Sequence, residues 1–463
     1  MTVETRMYEM KTIQGDMLTP ISIYHALKGP KKMLFESSAK HEESGRYSFI
    51  AVNPIAELKA TNNEYQFFNK EHELVSQGNN AFDKLKSLLP TENSQLPFSF
   101  FGGAIGYFGY ETAFYHEKIG ERLNDDLQMP DMHVLFYDTF VVVDHLMQKV
   151  HLVAVDLLKK ESSQKELYER VCKIEEQLNT TVNTQTTNDS DEVQFKSTIK
   201  KEEFCEMVLQ AKQHIAQGDI FQVVLSQRFA ADFTGNPMNL YRRLRTANPS
   251  PYMFYMDFDE YVILGTSPES LVKVEGRVVT TNPIAGTRRR GKTKQEDLAL
   301  EQELLQDEKE LAEHRMLVDL GRNDIGKLSK IGSVKLPKFM HIERYKHVMH
   351  IVSEVTGELK NDIHPLDVLA TTLPAGTVSG APKIRAMQII NNLERDKRGV
   401  YAGAVGYISI SGNMDMALAI RTMVITKGKA YVQAGAGIVY HSVPEKEYEE
   451  TLNKAKALLE VRP

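Results

Sequence analysis

Residues 280–324 decide the fold; they contain TTNPIAGTRRRG (280–291), DLALEQELLQDEKELAEH (297–314) and RMLVDLGRND (315–324). The β-branched residues before Pro283 predict a strand that ends in a tight loop at residues 285–287. Residues 292–320 contain neither Gly nor Pro and are rich in Leu, Ala, Glu and Gln, which predicts one long helix.

The predicted helix carries a candidate metal-binding face. Glu310, Glu313 and His314 stand at i, i+3 and i+4, a spacing that places neighbouring Cβ atoms about 5–6 Å apart. On an isolated helix such residues usually form a solvated acidic face. Glu447 and Glu450 repeat the spacing on the last predicted helix, and two such helices together can bind a hard cation through oxygen ligands. The sequence leaves open whether the two pairs face each other.

The composition is that of an ordinary globular protein. The chain has 463 residues, 42% of them hydrophobic and 25% charged. This length allows about three average domains, or one large α/β unit with a smaller partner. A net charge of −6 argues against general nucleic-acid binding. No window approaches the ~20 apolar residues of a membrane span, and the first residues lack a signal-peptide core. We therefore expect a cytoplasmic protein without nucleic-acid or membrane partners.

The two cysteines offer no recognisable chemistry. Cys172 and Cys205 lie far apart in charged, helix-like stretches, without metal-ligand spacing or a glycine-flanked nucleophile turn. We therefore expect two free thiols and no glutaminase activity in this chain. The chain also contains no Trp.

Short strand-like runs joined by turns predict antiparallel sheets in an α+β architecture. For example, HVLFYDTFVVVDH and KVHLVAVD are predicted to form a hairpin. Residues 179–192, NTTVNTQTTNDSDE, are almost free of large apolar side chains, which predicts a linker or exposed loop. We place a domain boundary there, between residues 1–178 and residues 193–463.

Two loops offer backbone amides to an anion. LPAGTVSGAPK precedes a predicted helix, so Thr377, Ser379 and the amides around Gly380 can bind a carboxylate, although a structural turn fits equally well. The loop lacks the Gly-Lys-Ser/Thr ending of a phosphate loop, which argues against nucleotide binding. Gly435 and Gly437, in AGAGI after a predicted strand, allow a carboxylate to approach the backbone closely.

Three isolated ionisable residues are further candidates. Arg421 interrupts the apolar stretch ALAIRTMVI, where an unpaired guanidinium is costly, so it must meet an anion of the protein or of a ligand. Glu269 follows Pro268 at a predicted strand end and can act as a general acid if burial raises its pKa to about 6–7. His350 lies in a predicted amphipathic helix, where a lone His is usually a packing residue.

Six motifs occur in the order and spacing of the chorismate-utilising enzymes: PIAGTRRRG, DEKELAEH, DLGRND, LPAGTVSGAPK, GAGIV and PEKEYEETLNKAKA. The resemblance spans residues 34–455 and, within that family, is to anthranilate synthase component I. It implies an α+β fold of two antiparallel sheets packed face to face, with helices outside. It also implies a lyase that converts chorismate and ammonia to anthranilate and pyruvate, the first step of tryptophan biosynthesis.

The resemblance implies a role for each candidate residue. Glu313 and Glu450 would bind Mg²⁺, with Glu310 and Glu447 supporting it directly or through water. The residues implied to bind or enclose the substrate are Arg421, Tyr401, Gly435, Gly437, Gly286, Thr287 and Thr377. Glu269 would protonate the departing ring hydroxyl, and His350 is implied in the later elimination of pyruvate.

Two positions distinguish the relatives from one another. Family members that add water to chorismate have a Lys where this chain has Gln222, and Gln cannot serve as the base that activates water. Members that make aminodeoxychorismate have a Lys where this chain has Ala285, and Ala cannot form the covalent adduct attributed to that Lys. Both catalytic-site differences imply direct attack by ammonia.

The resemblance also implies regulation and a partner. The N-terminal domain would hold a tryptophan feedback site made of Glu36, Ser37, Tyr47, Pro251, Tyr252 and Met253. The C-terminal domain, residues 193–463, would bind chorismate. A separate glutamine amidotransferase subunit, component II, would supply the ammonia. The rival interpretations are an aminodeoxychorismate synthase and a catalytically inactive tryptophan-binding subunit.

Overall fold

A computed structural model describes residues 6–37, 45–91, 96–158, 161–179, 193–345 and 348–459. The predicted linker, residues 179–192, lies outside the described residues except for Asn179. None of the helices described is both long enough and apolar enough to cross a membrane.

The chain up to residue 179 forms strands and short helices in alternation. The strands are β1 (Tyr8–Gln14), β2 (Met33–Glu36), β3 (Tyr47–Ala51), β4 (Ala56–Thr61), β5 (Glu64–Asn69), β6 (Leu74–Asn79), β7 (Gly103–Phe108), β8 (Met132–Tyr137), β9 (Thr139–Asp144) and β10 (Lys149–Val155). The helices are α1 (Pro20–Ala26), α2 (Ala81–Leu88) and α3 (Gln164–Leu178).

The rest of the chain contains the longer helices. The strands are β11 (Lys196–Ser197), β12 (Gln222–Asp232), β13 (Tyr252–Asp257), β14 (Tyr261–Ser267), β15 (Ser270–Glu275), β16 (Val278–Thr281), β17 (Ile284–Arg289), β18 (Lys335–Arg344), β19 (Val348–Glu358), β20 (Gly380–Ala381), β21 (Ala404–Ser409), β22 (Met414–Leu418), β23 (Thr422–Thr426) and β24 (Lys429–Ile438). The helices are α4 (Lys201–Ala216), α5 (Pro237–Ala247), α6 (Lys294–Gln306), α7 (Glu308–Gly326), α8 (Pro365–Thr372), α9 (Lys383–Leu393) and α10 (Pro444–Leu459).

These strands form two twelve-stranded sheets in which neighbours pair antiparallel. The first sheet has the order β1-β10-β9-β3-β2-β13-β14-β23-β24-β12-β11, with β20 beside β12. The second has the order β17-β19-β16-β15-β22-β21-β7-β8-β4-β5-β6, with β18 beside β19. The predicted α+β class and antiparallel pairing are confirmed.

The two sheets pack face to face around one large core. Phe49 of β3 in the first sheet and Tyr407 of β21 in the second have ring centroids 5.6 Å apart. In β9, Phe140 and Val142 face this core, while Val141 and Val143 face a second core beneath α1, α3, α5 and α10. This alternation is what period-two strand geometry requires of a sheet covered on both sides.

Both sheets contain strands from each side of the predicted linker. In the first sheet β2 pairs with β13, and in the second β7 pairs with β21. Residues 1–178 and 193–463 therefore share two sheets and the core between them. Composition marks a polar segment but carries no information about which strands pair across it.

Three local predictions are wrong, two about residues 280–324 and one about His350. The single helix over residues 292–320 is two helices, because the Asp307 carboxylate accepts hydrogen bonds from the backbone N–H groups of Lys309 and Glu310 and so starts α7. The loop at residues 285–287 is part of β17, with a bulge opposite β19. His350 lies on strand β19 and not on a helix, because Met349 and Ile351, on either side of it, are buried in strand alternation.

Candidate active site

Glu269 is a buried carboxyl group held by a single hydroxyl. It lies between β14 and β15 and is 9% exposed. Thr377, in the predicted anion-binding loop, donates its hydroxyl proton to Glu269 Oε1 at 2.7 Å. Burial raises the pKa of Glu269 to about 7, although Thr377 and Lys454 both favour the charged form. Glu269 therefore holds a proton near neutral pH, as a general acid must.

The bulge in β17 opens the backbone beside α7. Gly286 has a φ of +79°, and a Cβ atom there would lie 3.2 Å from Glu310 Oε2. Thr287 stands opposite His350 in the strand register, with its hydroxyl 2.9 Å from His350 Nδ1. Burial lowers the pKa of His350 to about 4, so the ring is neutral at physiological pH.

The first glutamate pair lies on α7, which packs against β17 and β19. Burial raises the pKa of Glu310, and the neighbouring charge of Glu313 raises it further. The side-chain amide of Gln222 donates to Glu313 Oε1 at 2.9 Å. The predicted metal-binding and specificity residues on α7 and β12 are thus in direct contact.

The second glutamate pair lies on α10. Burial raises the pKa of Glu447, and Glu450 raises it further, while Lys309 of α7 lowers it across the gap between the helices. Glu450 also pairs with Lys454 at 2.8 Å. Within the described residues no three His, Cys, Asp or Glu side chains are close enough to bind a metal ion.

Arg421 is a largely buried cation that no described side chain neutralises. It lies between β22 and β23 with a φ of +47°, and not inside a strand as the sequence suggested. Burial lowers the pKa of its guanidinium, and no described carboxylate offsets that effect. It borders a cleft of about 640 Å³ that is also lined by Thr287, Glu450 and Lys454. An anionic ligand in this cleft can supply the counter-charge of Arg421.

Two glycines in β24 allow side chains to approach the backbone. A Cβ atom at Gly435 would lie 2.7 Å from the Tyr401 hydroxyl, and one at Gly437 would lie 2.6 Å from Gln222 Nε2. The ammonium group of Lys454 donates to the Gly435 carbonyl at 3.0 Å. Tyr401, Gln222 and Lys454 can meet at this strand only because it lacks side chains there.

The predicted anion site in the loop before α9 is used internally. The Ser379 hydroxyl donates to the carbonyl of Ala375 at 2.7 Å, and the Thr377 hydroxyl is occupied by Glu269. Pro382 stands at the N-cap of α9 and has no N–H to offer. The loop therefore positions Glu269 in this structure, while substrate contact by Thr377 remains a prediction.

Residues 30–460 match the protein family described as chorismate binding enzyme. The chain belongs to that family. It is 48% identical over 463 residues to anthranilate synthase component 1 of Lactococcus lactis subsp. lactis (strain IL1403), covering 98% of this chain and 100% of that protein.

Solved structures of chorismate-binding enzymes have the same fold. Anthranilate synthase component I from Streptococcus pneumoniae TIGR4 is 44% identical, with a TM-score of 0.84, covering 96% of this chain and 98% of that one. The menaquinone-specific isochorismate synthase MenF from Escherichia coli is 19% identical, with a TM-score of 0.73, covering 99% and 95%. The second likeness supports the fold alone, and together they confirm the predicted fold and family.

A second cavity of this chorismate-binding enzyme, here called the inner pocket, lies between the sheets and has a volume of about 1280 Å³. The six residues predicted to form the feedback site all line it: Glu36, Ser37, Tyr47, Pro251, Tyr252 and Met253. They meet because β2 pairs with β13, with Met253 opposite Glu36.

The inner pocket also contains polar residues that the sequence analysis missed. Asp415, on β22, is half-buried, and burial of its carboxyl group raises the pKa to about 6. Its Oδ1 and the hydroxyls of Ser37 and Ser270 have no hydrogen-bond partner among the described residues. Unpartnered polar atoms that converge on one cavity are expected where a polar ligand binds. An Asp within the alternating stretch MDMAL was the available signal for this residue.

Proposed function

We propose that this chain is the synthase subunit that converts chorismate and ammonia to anthranilate and pyruvate, the first step of tryptophan biosynthesis. One observation of the structure carries the proposal: the largely buried guanidinium of Arg421 has no partner anion among the described residues and borders an open cleft. Chorismate is a dianion and supplies such a partner. The high identity to anthranilate synthase component 1 over the whole chain supports the same assignment.

Arg421 would bind the enolpyruvyl carboxylate of chorismate. Tyr401 would donate its hydroxyl, which burial keeps protonated by raising its pKa to about 12. Gly435 and Gly437 leave room at β24 for the same end of the substrate. The remaining residues that would enclose the substrate are Gly286, Thr287 and Thr377.

Two groups would move the protons of the reaction. Ammonia attack expels the ring hydroxyl, which must be protonated to leave as water, and Glu269 holds a proton near neutral pH for that purpose. Aromatisation then requires loss of a ring proton together with release of pyruvate. His350, which its low pKa keeps neutral, would take part in that elimination.

The two glutamate pairs fit a magnesium ion by their chemistry. Carboxylate oxygens are ligands that Mg²⁺ prefers, and burial, together with repulsion from Glu313 and Glu450, raises the pKa of Glu310 and of Glu447. A bound cation would relieve that repulsion. Glu313 and Glu450 would hold it, with Glu310 and Glu447 in support. Magnesium would supply positive charge to the ring carboxylate of the substrate.

Two side chains favour this activity over those of the relatives. Gln222 donates to Glu313 and cannot activate water, which argues against hydration of chorismate. Ala285 in β17 cannot form a covalent adduct, which argues against the aminodeoxychorismate reaction. A fluorescence assay for anthranilate, with purified chain, chorismate, Mg²⁺ and an ammonium salt, tests the proposal. Formation of any other product, or of none, would contradict it.

We expect the isolated chain to use ammonium salts and not glutamine. The two free cysteines, Cys172 and Cys205, lie within helices α3 and α4, without the sharp turn that exposes a nucleophilic thiol. Ammonium has no lone pair with which to attack, so the rate at fixed total ammonium should rise with pH up to about 7, above which deprotonation of Glu269 offsets the further gain in free NH₃. Glutamine should support turnover only after the component II amidotransferase is added. Glutamine-dependent turnover by the purified chain alone would overturn the two-subunit proposal.

We further propose that tryptophan binds in the inner pocket and inhibits the enzyme. The pocket has aromatic walls and the carboxylate of Asp415, which suit an amino acid with an aromatic side chain. Arg46 and Glu36 also line it and are paired with Asp144 and Arg245. The pocket is lined by strands of both sheets, including β2, β13, β18 and β22, while the glutamate pairs lie on α7 and α10. Inhibition from this pocket would therefore act at a distance.

Filling the inner pocket should relieve inhibition. Ser37→Phe or Met253→Phe should raise the tryptophan concentration for half-inhibition about tenfold or more, because an added side chain occupies ligand space. The matched control is Ser87→Phe on the exposed face of α2. Binding is measured by the tryptophan-induced rise in melting temperature. Unchanged inhibition in both pocket variants would show that tryptophan binds elsewhere.

A further inference from the structure

A small cavity of about 40 Å³ lies behind the carboxyl group of Glu269, between α7 and the loop that carries Thr377. We call it the Glu269 cavity. Its lining includes Ser270 and Asn282, and both residues also line the inner pocket. The cavity beside the predicted general acid and the pocket of the proposed inhibitor therefore share these two lining residues.

Ser270 is one of the two residues that line both cavities. Its hydroxyl is buried and has no hydrogen-bond partner among the described residues. It lies beside Tyr252, which also lines the inner pocket. Burial raises the pKa of the Tyr252 hydroxyl far above its usual value, Asp415 raises it further, and the Ser270 hydroxyl lowers it. Ser270 thus makes at most a weak, poorly aligned hydrogen bond with Tyr252, and a polar ligand in the inner pocket can satisfy its hydroxyl better.

The backbone around Ser270 is joined directly to Glu269. Ser270 begins β15, and the pairing of β15 with β22 shifts register between Ser270 and Val272. A continuous ladder therefore does not fix this end of the strand. The carbonyl of Glu269 is held by the backbone N–H of Leu418, whose neighbour Ala417 stands opposite Ser270 and lines the inner pocket. Ser270 and Glu269 are adjacent in the chain, so a displacement at Ser270 acts on Glu269 through one peptide bond, against the hydrogen bonds between the Glu269 backbone and the Ser267 hydroxyl.

We propose that Ser270 transmits occupancy of the inner pocket to Glu269. A polar group of the bound inhibitor satisfies the free Ser270 hydroxyl and draws this end of β15 towards the pocket. Glu269 moves with it, and its carboxyl group loses the 2.7 Å contact with Thr377 that orients it. This inference rests on the proposed binding of tryptophan in the inner pocket.

The chain itself provides a direct way to measure binding. Because it contains no Trp, fluorescence excited at wavelengths that tyrosine does not absorb comes only from added tryptophan. The anisotropy of that fluorescence reports the bound fraction independently of catalysis. Activity at saturating tryptophan, normalised to the uninhibited rate of the same variant, then reports transmission alone.

Ser270→Ala should separate binding from inhibition. We expect tryptophan to saturate the variant with an affinity within about tenfold of the original, since one neutral hydrogen bond is lost. Residual activity at saturation should rise at least fivefold over the original chain, the lower end of usual coupling between two sites. The substitution deletes a buried, unpartnered hydroxyl, so folding should be preserved.

Ser37→Ala is the matched control, because it deletes another unpartnered hydroxyl of the inner pocket. Ser37 directly follows β2, and it does not line the Glu269 cavity. It should weaken binding while full inhibition is still reached at saturation. Complete inhibition of Ser270→Ala at saturating tryptophan would overturn the role of Ser270 and leave the pocket assignment intact. Absence of tryptophan binding to the original chain would overturn the pocket assignment and this inference with it.

Discussion

Glu313→Gln and Glu450→Gln should each lower anthranilate synthesis by about a hundredfold or more while leaving the fold intact, since partners of metal ligands alone contribute up to that much. Each change removes one anionic oxygen donor and keeps the shape of the side chain. The amide of Gln222 can still donate to the carbonyl oxygen of a glutamine at position 313, so the contact between β12 and α7 survives.

The stability of these variants gives a second, independent readout. Glu310 and Glu313 repel each other in the chain without metal, as the raised pKa of Glu310 shows. Glu313→Gln should therefore leave the melting temperature unchanged or slightly higher without Mg²⁺. The rise in melting temperature that Mg²⁺ produces in the original chain should disappear, because binding to the folded state is lost.

Glu308→Gln is the matched control on the same helix. Glu308 is exposed in the first turn of α7 and belongs to neither glutamate pair. Its replacement by Gln changes the net charge by the same amount. It should retain both activity and the response to Mg²⁺. Full activity of Glu313→Gln or Glu450→Gln, or undiminished activity of the original chain in EDTA, would remove magnesium from the proposal.

The sequence predicted the class of the fold because strand alternation is a local signal. In TFVVVD of β9, successive side chains face two different cores, and the residues that face each core are apolar. Such a run identifies a buried strand but not its neighbour in the sheet. The pairing of β2 with β13 and of β7 with β21 depends on contacts between residues far apart in sequence, which no local pattern contains.

The errors about the helix at Asp307 and about His350 have a common cause. Helix propensity is high on both sides of Asp307, so the chain appeared continuous, yet a single carboxylate that caps α7 is enough to divide it. His350 lies in a stretch whose Met, His and Glu suit a helix equally well. Pairing of β19 with β16, β17 and β18 decides the matter there. Tertiary contacts outweigh propensity at both places.

The sequence indicated candidate site residues, but it did not predict the contacts between them. It singled out Glu269, Arg421 and the glutamates, but not the hydrogen bond from Thr377 to Glu269, which joins two loops 108 positions apart. The inner pocket was only half predicted, since Asp415 and Ser270 belong to no motif. Both were missed because a polar residue in a strand becomes significant only when its burial and its missing partner are known.

The proton on Glu269 should control the pH dependence of catalysis. At a constant, saturating concentration of free NH₃, the turnover rate should fall as the pH rises through about 7, because the acid must be protonated to donate. Glu269→Gln should lose a hundredfold to ten-thousandfold in turnover, about the usual contribution of a general acid. Its residual activity should show no fall near that pH.

Thr377→Val and Thr377→Ser test how Glu269 is held. The Thr377 hydroxyl donates to the carboxylate and so lowers the pKa of Glu269 against the larger effect of burial. Removing it in Thr377→Val should raise that pKa, move the alkaline fall in rate to higher pH, and reduce turnover roughly tenfold or more through lost orientation. Thr377→Ser keeps the hydroxyl and should retain both the rate and the profile. A Thr377→Val profile that coincides with that of the original chain would show that the hydrogen bond does not act on the catalytic proton.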